Sequence, residues 1–229
     1  MALTVASFNT DWTRRASVGT KSKLVGVLTD YTVEKMKLPA AIALCEVTAG
    51  VPAALGDALG SDTWDCINEK VGYDNLALLW DANRLEKREL HMMSDIGKYI
   101  VVPFNNRDTG ETIVIACAHL PFKRKTRRVG ESVLDRAHTL LHNAIEKMVA
   151  DHKATQVVVH GDLNTQPAAL AEKHPDYTLA LTDGDISTCH NTCPDNVMVW
   201  TAEDNPDIRH RIYSRCPHFD HFPIWAEIS

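Results

Sequence analysis

The sequence predicts an α/β protein in which layers of β-sheet pack together and helices cover them. Short apolar runs rich in β-branched residues alternate with segments whose apolar residues recur at the helical spacing. Several runs follow one another with no helical segment between them, at 76–80, 99–104 and 112–118. Consecutive strands of this kind favour a mixed or antiparallel sheet system over a simple doubly wound fold.

A strand is predicted at each apolar run. The predicted strands cover residues 4–8, 40–44, 76–80, 99–104, 112–118, 156–160, 196–200 and 222–228. Helices are predicted over about 21–37, 52–60 and 132–151, and over a short segment after Pro167. Within 132–151 the apolar residues follow the three- and four-residue spacing of an amphipathic helix, so this segment is expected to pack outside a sheet.

Length and composition fit one domain that spans residues 1–229. The chain is 45% hydrophobic, enough for a sizeable core, and no repeat or linker-like stretch divides it. It has no run of 18 apolar residues and no secretory signal, so we expect no membrane span and a cytoplasmic protein. Cys45 and Cys117 lie within apolar runs and are predicted to be reduced, buried thiols.

The charge balance limits how a phosphate-rich partner could be held. The formal net charge is −6, whereas proteins that bind nucleic acid over a broad face are more often basic. A local basic patch, a metal ion, or both must therefore hold such a partner. The cations of the first candidate patch are Lys123, Arg124, Lys125, Arg127 and Arg128, and those of the second are Arg209, His210, Arg211 and Arg215. We expect both to flank a substrate cleft, the alternative being a solvated face.

Polar side chains stand at the ends of several predicted strands, where a rigid scaffold commonly holds functional groups. Asp162 and Asn164 follow one strand and are two residues apart, so in an extended chain they would face the same point. Gly161 would permit close approach of the backbone there. The other strand-end residues are Asn9, Asp11, Glu46, His119, Asp220 and His221.

These residue types suit hydrolysis of a phosphate ester. Glu46, with Asp11 or Asn9, offers hard oxygen ligands that suit Mg²⁺ or Mn²⁺ better than zinc. His119 and His221 are the natural proton-transfer groups near neutral pH. Charge that builds up on the phosphoryl oxygens would be stabilised by the metal and by the histidines.

Six short motifs in order resemble the endonuclease/exonuclease/phosphatase superfamily of DNase I-like metallophosphoesterases. They are ASFNTDW (6–12), ALCEV (43–47), ACAHLP (116–121), HGDLNTQP (160–167), PDNVMV (194–199) and FDHFPI (219–224). The resemblance spans nearly the whole chain. It implies a four-layered α/β sandwich of two packed mixed β-sheets flanked by helices.

The resemblance also implies residue roles. Glu46 matches the main metal carboxylate, and Asn9 matches the asparagine that positions metal-bound or phosphate groups. Asp162 and Asn164 match the pair that orients the nucleophilic water. Asp220 and Asp11 are placed with the metal ligands.

The remaining matches concern the histidines. His119 matches a phosphate-contacting histidine that can serve as an acid, with Asp74 in the place of the residue that orients it. His221 matches the general base, and Asp195 the aspartate that supports it. Histidine at position 119, where the abasic-site branch usually has tyrosine, argues against an abasic-site repair enzyme.

The sequence therefore predicts a Mg²⁺-dependent phosphodiesterase that cleaves DNA or RNA, with water attack aided by His221 and Asp195. One alternative is a phosphatase or phosphodiesterase of inositol or lipid phosphates, and another is a non-catalytic binding relative. A non-catalytic relative is expected to have lost Glu46, Asp162 or His221, and all three are present. Trp12 is the one obvious aromatic candidate for stacking on bases.

Two further groups could hold a metal. His138 and His142 have a zinc-binding spacing, but with no third ligand a solvated helix face is the expected arrangement. Cys189, His190 and Cys193 suggest a metal or redox site close to Asp195.

Overall fold

Two β-sheets form the centre of the fold in the computed structural model. The structure describes residues 2–10, 20–71, 74–88, 91–94, 98–122, 132–185, 187–189, 192, 194–202, 205–214 and 219–229, with only the backbone at 71 and 74. The strands are β1 Leu3–Asn9, β2 Ala41–Val47, β3 Trp64–Val71, β4 Asp74–Asp81, β5 Leu85–Lys87, β6 Met92–Ser94, β7 Tyr99–Asn106, β8 Thr112–His119, β9 Gln156–Asp162, β10 Thr178–Leu179, β11 Asp195–Thr201, β12 Ile208–Ile212 and β13 Ile224–Ile228. The helices are α1 Lys21–Asp30, α2 Val51–Gly60, α3 Val133–His152 and α4 Pro167–Lys173.

Both sheets are mixed, as the sequence predicts. The first has the strand order β12-β13-β1-β2-β4-β3 and the second β10-β11-β9-β8-β7-β5, with β6 also paired to β7. The pairs β1–β2 and β8–β9 are parallel and their neighbours are antiparallel. The carboxyl ends of these two parallel pairs carry the candidate site.

The two sheets pack face to face and helices cover both outer faces. The apolar layer between the sheets contains Val5 and Leu78 from the first sheet and Ile115 and Val158 from the second, all buried. Leucines of α1 and α2 pack on the outside of the first sheet. α3 packs on the outside of the second. This order of helix, sheet, sheet and helix confirms the predicted four-layered sandwich.

The helices form where the periodicity predicts them. α3 begins after Ser132, whose hydroxyl accepts a hydrogen bond from the Asp135 amide at 3.0 Å and so satisfies one donor of the first turn. The α-helical part of the predicted 21–37 segment ends earlier than expected, because α1 stops at Asp30 and a π-helical turn continues through Tyr31–Lys35. In the described part of the chain, no helix is long and apolar enough to cross a bilayer.

Two strands that the sequence analysis missed lie at the edges of the first sheet. β3 reads WDCINEKV and β12 reads IRHRI, and each pairs on one side only along that sheet. Edge strands carry charged side chains because one side meets solvent. They therefore show no apolar run that would identify them.

The expectation of a solvated face for His138 and His142 is wrong for His138. The His138 side chain is buried, with Nδ1 3.0 Å from His174 Nε2 and Nε2 2.8 Å from the Thr165 hydroxyl. Burial, and then the nearby His174, lower the pKa of His138 to about 4. His142 does lie at the surface, beside Glu146. The contact of His138 with Thr165 ties α3 to the loop that follows β9, and its contact with His174 ties α3 to the end of α4.

Candidate active site

The strand register gathers the predicted residues at one edge of the sandwich. In the first sheet, Asn9 at the end of β1 lies beside Cys45 of β2. In the second sheet, His119, Asp162 and Asp195 form one row across β8, β9 and β11. The two rows face each other, so the site is built by the packing of one sheet on the other.

Asp162 is the contact point between the two sheets. Its Oδ2 accepts a hydrogen bond from Asn9 Nδ2 at 3.0 Å and lies 3.8 Å from His119 Nε2 and 3.9 Å from His221 Nδ1. Its Oδ1 accepts the Asn164 amide at 3.0 Å. Burial, and then the charge of Asp195, raise the pKa of Asp162, while the two histidines lower it.

His221 and Asp195 form a short pair. Nδ1 of His221 lies 2.8 Å from Asp195 Oδ2, and both side chains are largely shielded from solvent. Burial disfavours the charged imidazolium, but the carboxylates of Asp195, Asp162 and Asp220 outweigh it and raise the pKa of His221 to about 10. The surrounding carboxylates therefore favour the imidazolium form of His221.

Glu46 reaches the site because β2 is irregular there. The pairing of β2 with β4 shifts between Leu44 and Val47, and Glu46 has a positive φ of 52°. The Thr10 hydroxyl donates to the Glu46 carbonyl at 2.8 Å and holds this bulge. Glu46 Oε1 then lies 3.5 Å from His119 Nε2 and 3.5 Å from Asn9 Nδ2.

The loop after β9 is not extended, which corrects the expected relation of Asp162 to Asn164. Asn164 is left-handed, with φ of 48°, and its Nδ2 donates to the Leu120 carbonyl at 2.7 Å. Gly161 has φ of 139°, and a Cβ there would lie 2.0 Å from the Ala118 carbonyl oxygen. The side-chain nitrogen of Asn164 therefore links the loop after β9 to the end of β8. Its side-chain oxygen, Oδ1, takes no part in this bond.

Several predicted residues lie outside the described part of the chain. They are Asp11, Trp12, the whole first basic patch (Lys123, Arg124, Lys125, Arg127 and Arg128) and, in the second stretch, Arg215. His190, Cys193 and the side chain of Asp74 also lie outside it, while the Asp74 backbone begins β4. Their predicted roles remain predictions.

The second basic stretch is described over Arg209, His210 and Arg211, and its expected position beside the cleft remains a prediction. Arg209 lies 3.8 Å from Glu227, and His210 lies 3.0 Å from Asp185, so these two cations are paired with acids. Arg211 is exposed on the edge strand β12. Along β12, Arg209 and Arg211 lie on the same exposed face, while His210 lies on the opposite one.

Phe122 is an exposed aromatic residue, close along the chain to the site, that the sequence analysis missed. Its side chain is 74% exposed, two residues after Leu120, and Leu120 is bonded through its backbone to both Asp162 and Asn164. The available signal was a single aromatic residue between Pro121 and the first basic patch. The expected buried thiols are confirmed, since Cys45 and Cys117 are unoxidised and fully buried.

Neither a family sequence model nor a curated protein sequence matches the chain. Solved structures do match. The endonuclease/exonuclease/phosphatase from Bacteroides vulgatus aligns with a TM-score of 0.78 at 16% identity, covering 100% of this chain and 99% of that one. Truncated Caenorhabditis elegans TDP2 gives 0.74 at 15% identity, covering 100% and 97%. The human Nocturnin catalytic domain gives 0.69 at 16% identity, covering 100% and 93%.

The chain has the endonuclease/exonuclease/phosphatase fold. The resemblance predicted from its six motifs is thereby confirmed at the level of the fold. Within this DNase I-like sandwich, the predicted residues meet at the edge where the two sheets present their parallel strand ends.

A divalent cation fits the donor set of this endonuclease/exonuclease/phosphatase fold. Four carboxylates, from Glu46, Asp162, Asp195 and Asp220, surround two histidines, and burial, followed by the charge of Asp195, raises the pKa of Asp162. Oxygen donors of this kind suit a hard cation. Asn9 points its Nδ2 toward both Glu46 and Asp162, so its amide must turn over to offer oxygen to a cation.

Proposed function

We propose that this chain is a metal-dependent phosphodiesterase that hydrolyses phosphodiester bonds of nucleic acid. The observation that carries the proposal is the arrangement of the His221–Asp195 pair beside Asp162, with Glu46 and His119 on the other side of the same carboxylate. These residues would supply an acid–base pair, a metal carboxylate and donors that bind phosphate within one small site.

In the proposed reaction, a water attacks phosphorus in line with the leaving oxygen. His221 takes the proton from this water and Asp195 holds the imidazole in place through Nδ1. Asn9 and His119 bind the phosphoryl oxygens from the opposite side. Asp162 and Asn164 fix the position of these groups by the contacts that join the strand ends.

Glu46, with Asn9, would hold the cation, for which we propose Mg²⁺ or Mn²⁺. Once bound, it supplies positive charge that stabilises the phosphoryl oxygens and, beside the carboxylates, lowers the pKa of the His221 imidazolium. This second effect matters because His221 serves as a base only in its neutral form, while the carboxylates alone keep it protonated.

Two observations support nucleic acid over a small phosphate. The exposed ring of Phe122 lies close along the chain to the site, and a base could stack on it. Among the solved structures that align, a Danio rerio TDP2 is described as complexed with single-strand DNA product, at a TM-score of 0.72 and 12% identity. An inositol phosphate has no aromatic ring to place on Phe122.

The test is cleavage of supercoiled plasmid, single-stranded DNA and RNA in Mg²⁺, Mn²⁺ or EDTA. We expect wild-type cleavage that requires metal and is lost in His221→Ala. His142→Ala is the matched control, because it removes an exposed histidine that also pairs with a carboxylate, Glu146 at 3.2 Å, on α3. Release of phosphate from inositol phosphates with no cleavage of polymers would replace the proposal by a small-molecule phosphatase. Silence on all substrates would favour a binding protein.

A further inference from the structure

A thiol lies against the proposed base. Cys189 and His221 form an isolated antiparallel bridge, and the Phe222 amide donates to the Thr188 carbonyl at 2.8 Å. Backbone pairing thus holds the segment around Cys189 beside the Asp220–His221 pair. Cys189 is an unoxidised cysteine, and its side chain is almost fully buried at 9% exposure.

One potential ligand atom from each of Cys189, Asp220 and His221 lies within 4.8 Å of the other two. Around a tetrahedral zinc ion, with bonds of about 2.0–2.3 Å, ligand atoms are roughly 3.3–3.8 Å apart. The three groups are therefore close enough for small side-chain movements to bring them around one zinc ion as three ligands, with water in the fourth position.

The donor types separate this group from the proposed magnesium site. Sulfur is a soft ligand that zinc accepts and magnesium does not, whereas Glu46 and Asn9 offer oxygen. His221 would bind zinc as zinc-ligating histidines usually do, because Asp195 contacts its Nδ1 and Nε2 is the other ring nitrogen that can hold an ion.

We propose that Cys189, Asp220 and His221 form a second metal site, specific for zinc-like ions, whose occupation blocks the enzyme. The blocking part rests on the proposed function. A zinc ion bound to His221 through Nε2 would occupy the nitrogen that takes the proton from water, so catalysis stops while Glu46 and Asn9 remain available to magnesium. The site would make the activity sensitive to zinc through one cysteine.

The binding test uses Co²⁺ as the probe and needs no activity. We expect one Co²⁺ per chain with thiolate-to-metal charge-transfer absorption, displaced by Zn²⁺. Cys189→Ser should weaken zinc binding at least tenfold and abolish the absorption band. Cys66→Ser is the matched control, since Cys66 is a half-buried thiol on the edge strand β3. Equal binding and absorption in wild type and Cys189→Ser would overturn the site.

The activity test adds zinc at constant excess Mg²⁺. Wild type and Cys66→Ser should be inhibited at zinc concentrations at least tenfold lower than Cys189→Ser, and Cys189→Ser should retain its activity without zinc. Identical inhibition of all three proteins would overturn the blocking role even where Co²⁺ binds. If no protein cleaves any substrate, the proposed function fails, while the Co²⁺ spectrum still decides whether the metal site exists.

Discussion

Asp195 begins β11 and His221 precedes β13, and the two side chains meet at 2.8 Å between Oδ2 and Nδ1. Asp195→Asn keeps the shape of this pair but removes the charge that orients and stabilises the imidazolium. We expect kcat to fall by about 10²–10⁴ with little change in KM. Steady-state kinetics on an oligonucleotide would measure it.

The control for this change is Asp185→Asn. Asp185 makes a similar contact with His210, 3.0 Å long, outside the candidate site. The activity of the Asp185→Asn variant should match that of wild type. An equal loss in both variants would mean that the Asp195 effect is structural.

Stability should depend on pH through His221. Its pKa of about 10 in the folded protein lies above the ordinary 6.5. The stabilisation that the charged imidazolium gains from the carboxylates is therefore complete below pH 6.5 and is lost as the pH rises through about 10. The free energy of unfolding of metal-free protein should therefore fall across this range by a few kcal/mol more in wild type than in His221→Gln. Urea denaturation at several pH values measures the difference, and parallel curves would contradict it.

Divalent metal should stabilise the fold through Glu46. Ligand present at a hundred times its dissociation constant adds about 2.7 kcal/mol to the free energy of unfolding. Mg²⁺ should therefore raise the Tm of wild type, and Glu46→Gln should remove most of this rise. Glu34→Gln, an exposed glutamate in the π-helical turn, is the control. A full Mg²⁺ response in Glu46→Gln would place the metal elsewhere.

Gly161 should tolerate no side chain. A Cβ would lie 2.0 Å from a backbone oxygen, and φ of 139° is unfavourable for any residue but glycine. Gly161→Ala should lose about 3 kcal/mol or more of stability. Gly26→Ala is the opposite case, since Gly26 lies in α1 with no atom within 4 Å of a new Cβ, and it should gain up to about 1 kcal/mol. Chemical denaturation would rank the three proteins.

Phe122 should discriminate substrates that have bases from those that lack them. Stacking of a base on an aromatic ring contributes about 1–3 kcal/mol. Phe122→Ala should therefore lower kcat/KM on a short oligonucleotide by roughly 5- to 150-fold, and leave an abasic oligonucleotide of equal length unaffected. Leu38→Ala is the control, as Leu38 is 44% exposed and precedes β2, at the end opposite Glu46. An equal loss on both oligonucleotides would exclude stacking.

The strands of the sandwich core could be predicted because burial leaves a local record. A strand covered on both faces must be apolar along its length, so runs such as 112–118 and 156–160 were visible in the sequence. Because each run is apolar along its length, the polar residue that ends it also stands out in the sequence. Edge strands such as β12 leave no such record, since half of their side chains meet solvent.

The site geometry was less predictable because it depends on contacts between distant residues. Asn9 and Asp162 are 153 positions apart, and nothing local indicates that they share a hydrogen bond. The backbone of Glu46 and Asn164 is also locally unfavourable, with φ near 50°, and contacts with residues distant in sequence, such as Thr10 and Leu120, hold it in place. Sequence patterns report favoured local conformations and so miss these.

The hydrogen bond between Asn9 and Asp162 crosses from one sheet to the other, as does the bond between His160 Nδ1 and the Ala6 carbonyl at 3.0 Å. Each sheet alone therefore carries half of the candidate site, and the proposed activity requires both halves to dock. During refolding, regained activity should report the last docking event, and it should lag behind the recovery of secondary structure. A chain arrested with both sheets formed but undocked would look folded by circular dichroism and be catalytically silent.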